Sequence, residues 1–99
     1  MRLTPEQITI IKEATHELAG NDARAWLFGS RVDDQSKGGD VDLLVEVDAE
    51  VIEPAQLSAK IATRVSLAMH GRKVDVIIKA PNLKQLPIHT FALQEGICL

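Results

Sequence analysis

The sequence has little of what would mark a secreted or membrane protein. Its 99 residues include one cysteine, Cys98, so no internal disulfide can form. No apolar run approaches the ~18 residues that a membrane-spanning helix needs, and no secretory signal pattern is present. We therefore expect a cytoplasmic protein without a membrane segment.

Positive charge is also scarce. Eleven Lys and Arg residues stand against fourteen Asp and Glu residues, which gives a formal net charge of −3. Because nucleic-acid-binding domains are usually basic, we expect no direct nucleic-acid binding. The charges are unevenly placed: residues 33–53 carry eight acidic side chains and one basic one, whereas residues 54–73 carry four basic and no acidic ones. This asymmetry predicts either two solvated faces of opposite sign or a functional surface.

The length fits a single domain. A composition of 45% hydrophobic and 25% charged residues is typical of globular proteins, and no repeat or linker divides the chain. We expect one domain over residues 1–99. A domain this small leaves apolar surface exposed, which a homodimer or a complex with another protein would cover.

Apolar spacing and end signals predict alternating helices and strands. A first helix, Pro5–Ala19, begins after the N-cap residue Thr4 and ends at Gly20. The other predicted elements are a strand at 23–28, a strand at 40–47, a helix from Pro54 to 70–71, a strand at 73–79 and a helix at 87–95. This order indicates an α/β fold with one small sheet, and it leaves the strand order open.

The strand at 40–47 carries the first chemical signal. Its alternation places Val41, Leu43 and Val45 on one face, and Asp40 and Asp42 on the other, roughly 6–7 Å apart. Carboxylates at this spacing can share a hard divalent cation such as Mg²⁺, which in turn binds substrate phosphates. The alternative is that both acids simply face water.

The third strand supplies a further acid, Asp75, between Val74 and Val76 in an apolar run. An acid in such a run is costly unless it is paired or binds a metal. If this strand pairs in phase with the strand at 40–47, Asp75 joins the cluster as a metal ligand or as a general base. An ion pair with Arg72 or Lys73 is the structural alternative.

A glycine and a serine end the first strand. Gly29 and Ser30 bring backbone N–H groups and a hydroxyl to a place where phosphate oxygens could approach closely. A Gly-Ser pair alone is merely a turn. Its significance comes from the Asp-x-Asp sequence at 40–42, which follows it after nine intervening residues.

Segments 27–31 (Leu-Phe-Gly-Ser-Arg) and 39–43 (Gly-Asp-Val-Asp-Leu) resemble the nucleotidyltransferases of DNA polymerase β type. The chain looks like their minimal members, the antitoxin partners of HEPN toxins. The resemblance implies a polymerase β-like nucleotidyltransferase fold, a small mixed sheet flanked by helices. It implies Mg²⁺ and ATP, with Asp40, Asp42 and Asp75 as catalytic and metal-binding residues and Gly29, Ser30 and Arg31 as nucleotide-binding residues.

The reaction implied by this resemblance is transfer of AMP from ATP to a hydroxyl, notably a tyrosine of a helical HEPN-type partner protein. Two other functions stay open: a non-catalytic antitoxin that occludes its partner, and a small-molecule nucleotidyltransferase of the aminoglycoside type, for which 99 residues lack a substrate domain. The chain departs from many minimal members by having Val-Asp-Asp at 32–34 in place of a small residue, a basic residue and a glycine. Arg31 could neutralise phosphate charge or pair with Asp33 or Asp34.

The remaining distinctive residues favour structural roles. None of the three histidines has metal-ligand spacing. Trp26 lies in the middle of a predicted strand, which favours core packing over base stacking. Cys98 lies in an apolar triplet, which favours packing over a nucleophilic role.

Overall fold

The structure is a computed structural model that describes residues 3–29 and 40–99. Its elements are α1 (Pro5–Ala19), β1 (Arg24–Phe28), β2 (Val41–Glu46), α2 (Pro54–Ala68), β3 (Val74–Lys79), α3 (Pro87–Glu95) and β4 (Ile97–Cys98). The three predicted helices and three predicted strands are confirmed with ends within about two residues, whereas β4 was not predicted. Among the described helices, none is both long and apolar enough to cross a membrane.

Local side-chain signals explain the ends of α1. The Thr4 hydroxyl accepts a hydrogen bond from the Gln7 N–H at 3.1 Å, and the Thr4 N–H donates to Gln7 Oε1 at 2.9 Å. These reciprocal bonds form a capping box that satisfies two otherwise unpaired donors. Gly20 ends the helix at φ +107°, a conformation that a side chain would disfavour.

The four strands form a mixed sheet in the order β3-β2-β1-β4. Strand β2 pairs with β1 in the antiparallel sense and with β3 in the parallel sense, and β4 adds to the outer edge of β1. The parallel pair requires a crossover, which α2 provides. The small mixed sheet flanked by helices that the family resemblance implied is therefore confirmed.

The sheet is covered by helices on both faces. One face carries α1 and α2 over the larger hydrophobic core, whose fully buried members include Ile11, Leu27, Leu43, Val45, Ile61 and Val65. The other face carries α3, which packs its Ala92 against Phe28 and Leu44. The predicted alternation of β2 is confirmed, and α3 accounts for the apolar Leu44 on the same face as Asp42.

A buried histidine attaches the start of α3 to the end of β3. His89 is 6% exposed, and its Nε2 donates to the Ile78 carbonyl at 3.0 Å while its Nδ1 accepts from the Leu86 N–H at 2.9 Å. These two bonds require the hydrogen on Nε2. They fix one end of α3 over the edge of the sheet.

At the other end of α3, the chain turns closely into β4. A Cβ on Gly96 would lie 2.9 Å from the Leu27 carbonyl oxygen, so only glycine lets the backbone approach β1 this closely. Strand β4 then extends the sheet, and the Leu99 N–H donates to the Ala25 carbonyl at 2.9 Å. Cys98, for which the sequence favoured a packing role, is exposed, because β4 lies at the sheet edge.

Candidate active site

The parallel pairing of β2 and β3 places two of the predicted acids side by side. Asp42 is the register partner of Asp75, so both side chains lie on the face that carries α3, with the strands about 4.8 Å apart. The Val41 N–H donates to the Lys73 carbonyl at 2.9 Å, which fixes this register at the start of both strands. The prediction that Asp75 joins the Asp-x-Asp strand is confirmed for Asp42, and the exposed Asp40 directly precedes β2.

The Asp42 carboxylate lies in an environment that disfavours its negative charge. Partial burial raises its pKa from the ordinary 3.8, and the negative charges of Asp75 and Asp40 raise it further. Lys73 opposes this effect. The electrostatics at this end of the sheet therefore favour the arrival of positive charge.

Asp75 differs from the sequence expectation in its burial. Its side chain is 54% exposed, so the expectation that a charge at this position is costly is wrong. The reason is that α3 packs over Phe28 and Leu44 and leaves Asp75 in contact with solvent. The predicted alternative partner, Lys73, is present with its Nζ 3.8 Å from Asp75 Oδ2. This exposed pair is too long for a hydrogen bond and too hydrated to hold the carboxylate firmly.

Gly29 lies directly against the Asp42 carboxylate. Its φ of +75° is in the left-handed region, and a Cβ at this position would overlap Asp42 Oδ2. A glycine is therefore required both by the backbone conformation and by the space that the acid occupies. Gly29, predicted to bind nucleotide, thus lies beside the acid pair.

Phe28 is a site neighbour that sequence reasoning did not identify. It is the antiparallel register partner of Asp42, and it is 7% exposed within the cluster under α3. Its side chain therefore lies on the same face of the sheet as Asp42. The register of β1 with β2 would have revealed it, but that register depends on the tertiary fold.

The described residues supply only part of the predicted site. Ser30 and Arg31, predicted to bind nucleotide, lie outside the described residues. Within residues 3–29 and 40–99, no three acidic, histidine or cysteine side chains converge closely enough to hold one metal ion. The donor set nevertheless fits Mg²⁺, because Asp40, Asp42 and Asp75 offer hard carboxylate oxygens where negative charge is in excess.

A second group of charges lies at the opposite end of β2. Glu46 accepts from Arg24 Nε at 2.8 Å and lies 3.4 Å from Lys79 Nζ, and Arg24 also contacts Asp48 at 3.0 Å. Here every acid meets a cation, and the Arg24 hydrogen bond is the main cause of the lowered pKa of Glu46. Among the described acids, Asp42, whose pKa is raised, lies at the other end of this strand.

Asp40, Asp42 and Asp75 lie with Gly29 at one end of the mixed sheet, and we call this region the acidic corner. The family model for the nucleotidyltransferase domain matches residues 8–97. The chain belongs to this family. As a nucleotidyltransferase domain it has the polymerase β-like fold, and its general chemistry is nucleotidyl transfer. Members of the family generally use a nucleoside triphosphate and Mg²⁺. No curated protein and no solved structure matches the chain.

Proposed function

We propose that this nucleotidyltransferase transfers AMP from ATP to a protein hydroxyl, a tyrosine of a helical HEPN-type partner, and so acts as an antitoxin. The observation that supports it most directly is the parallel register of Asp42 with Asp75 beside Gly29. A nucleoside triphosphate carries several negative charges, and this corner of the sheet is itself acidic. Substrate binding therefore requires divalent cations, which carboxylates among Asp40, Asp42 and Asp75 would hold and which would offset phosphate charge when bound.

The side chains would divide the work according to their exposure. The half-buried Asp42 and the adjacent Asp40 would orient the triphosphate, while Gly29 leaves its backbone open to the phosphates. Ser30 and Arg31 would contact the phosphates, as the family resemblance implies. The acceptor oxygen attacks the α-phosphorus, a new O–P bond forms, and the bond to the β-phosphate breaks with loss of pyrophosphate.

Asp75 is the residue best placed to accept the acceptor's proton. Its side chain is 54% exposed, so a hydroxyl from another molecule can reach it, whereas Asp42 is more enclosed. Its pair with Lys73 is long and surface-exposed, which leaves its oxygens available for a hydrogen bond to the hydroxyl.

A protein acceptor is supported by the surface of α3, on the same face of the sheet. Phe91 and Ile88, three residues apart on this helix, are 48% and 42% exposed. Large apolar side chains exposed together are typical of surfaces that contact other proteins. A small polar acceptor would gain nothing from this surface.

The test is to isolate the chain with its copurifying protein, add ATP and Mg²⁺, and record the intact masses of both. We expect the partner to gain whole AMP units, and Asp42→Asn to abolish that gain. Asp22→Asn is the matched control, because it makes the same substitution at an exposed acid outside the site. An unchanged partner mass in a stable complex would instead support an antitoxin that acts by occlusion, and transfer by Asp42→Asn would contradict the assignment of Asp42.

A further inference from the structure

The face of the molecule opposite the acid pair carries an open groove. Helices α1 and α2 pack side by side there, and a groove of about 860 Å³ runs between their outer sides. Leu18 near the end of α1 lies beside Gln56 and Leu57 near the start of α2, so the helices are antiparallel. The apolar residues that line the groove are Ile10, Leu18, Ala59, Leu67 and Ala68. Leu67, near the end of α2, is 76% exposed, a high value for a large apolar side chain.

The two walls of this groove carry opposite charge. The α1 wall carries the acidic Glu13, and the α2 wall carries the basic Lys60 and Arg64, in a helix with no acidic residue. Arg64 also forms an ion pair with Glu17 of α1, which joins the two helices. A partner with a single sign of charge would be attracted to one wall and repelled by the other.

We infer that this groove is the interface of a homodimer, with a second copy of the chain seated on it. A two-fold axis parallel to the helices places α1 of each copy over α2 of the other, so that both acidic walls face basic walls. A two-fold axis across the helices would instead place α1 on α1, with acid against acid. Charge complementarity therefore favours the first arrangement, an antiparallel four-helix bundle that covers both copies of Leu67.

This dimer would leave both active sites open. The α1–α2 layer lies on one face of each sheet, and Asp42 and Asp75 lie on the other. The two acidic corners would therefore point away from each other, each free to receive its own substrate. The inference is independent of the proposed transfer reaction, because it uses none of the active-site residues.

Charge reversal tests the interface. Sedimentation velocity of the wild-type chain over a range of concentrations should show a monomer–dimer equilibrium. Glu13→Lys and Lys60→Glu should each raise the dissociation constant by about tenfold or more, because a two-fold interface contains every contact twice. An equimolar mixture of the two variants should dimerise as the wild type does, since each reversed wall then meets its complement. Lys84→Glu, between β3 and α3 and outside the groove, is the matched control and should dimerise normally.

The mixture makes the experiment decisive. All of these residues are exposed helix or loop positions, and circular dichroism checks that each variant is folded. A wild-type chain that stays monomeric at every concentration would overturn the inference. So would reversal variants that dimerise like the wild type, or a mixture that fails to recover although both components are folded.

Discussion

The substitution Asp42→Asn should stabilise the fold while it abolishes catalysis. The asparagine keeps nearly the volume of the aspartate and removes a negative charge that is partly buried beside Asp75. Cross-strand pairs of this kind contribute about 0.2–1 kcal/mol, and like charges are unfavourable. With the relief of partial burial we expect a gain of about 1 kcal/mol, which corresponds to a rise in Tm of about 4–8 °C for a domain of this size.

The direction of the Asp42 pKa shift determines how the stability gain of Asp42→Asn depends on pH. The pKa of Asp42 is raised in the folded state above its ordinary 3.8, so the folded state favours the protonated acid. The stability that protonation contributes is complete below pH 3.8 and is lost as the pH rises through the folded-state pKa. The advantage of Asp42→Asn should therefore be largest at neutral pH and small below pH 3.8.

The assay is thermal and urea unfolding of both proteins at neutral and acidic pH, with and without Mg²⁺. Added Mg²⁺ should raise the Tm of the wild type more than that of Asp42→Asn, because the variant has lost a ligand. Asp22→Asn should match the wild type in every condition, since that acid is exposed. An Asp42→Asn variant that is no more stable than the wild type at neutral pH would contradict this prediction. So would a gain in stability that is the same at both pH values.

Two further predictions concern Glu46, at the opposite end of β2 from the acid pair, and Gly29, beside Asp42. Glu46→Gln should destabilise the protein by about 1 kcal/mol at neutral pH, because Glu46 accepts from Arg24 and its pKa is lowered from 4.5. That contribution is present above pH 4.5 and lost as the pH falls through the folded-state pKa, so unfolding curves of the two proteins should converge in acid; a difference that persists there would contradict it. Gly29→Ala should cost about 1–3 kcal/mol from its φ of +75° and should also displace the Asp42 carboxylate. The rise in Tm that Mg²⁺ causes should therefore be smaller in Gly29→Ala than in the wild type. An equal rise would contradict the prediction that the position of the Asp42 carboxylate depends on Gly29.

The helices could be predicted from sequence because their signals are local. Thr4, Pro5 and Gly20 mark the two ends of α1 within the chain itself, and Pro87 marks the start of α3. The alternation in β2 likewise placed Asp42 opposite the core-facing valines. The Gly-Ser and Asp-x-Asp spacing was enough to identify the family.

The features that were missed depend on tertiary structure. The pairing of Asp42 with Asp75 was a conditional prediction, because strand order and register are set by contacts between distant segments. The exposure of Asp75 follows from where α3 packs, which no local pattern specifies. Strand β4 is two residues long with exposed side chains, so it has no hydrophobic signature of its own.

The parallel connection between β2 and β3 also has a consequence for how the protein folds. The two carboxylates of the acid pair are separated by 33 positions in the chain, and they become neighbours only after α2 has crossed the sheet and docked. Parallel pairing of this kind is non-local, so it forms late and slowly compared with the β1–β2 pairing or the helices. A nascent or partly folded chain would therefore hold its acids apart, and activity would begin only once the crossover is complete.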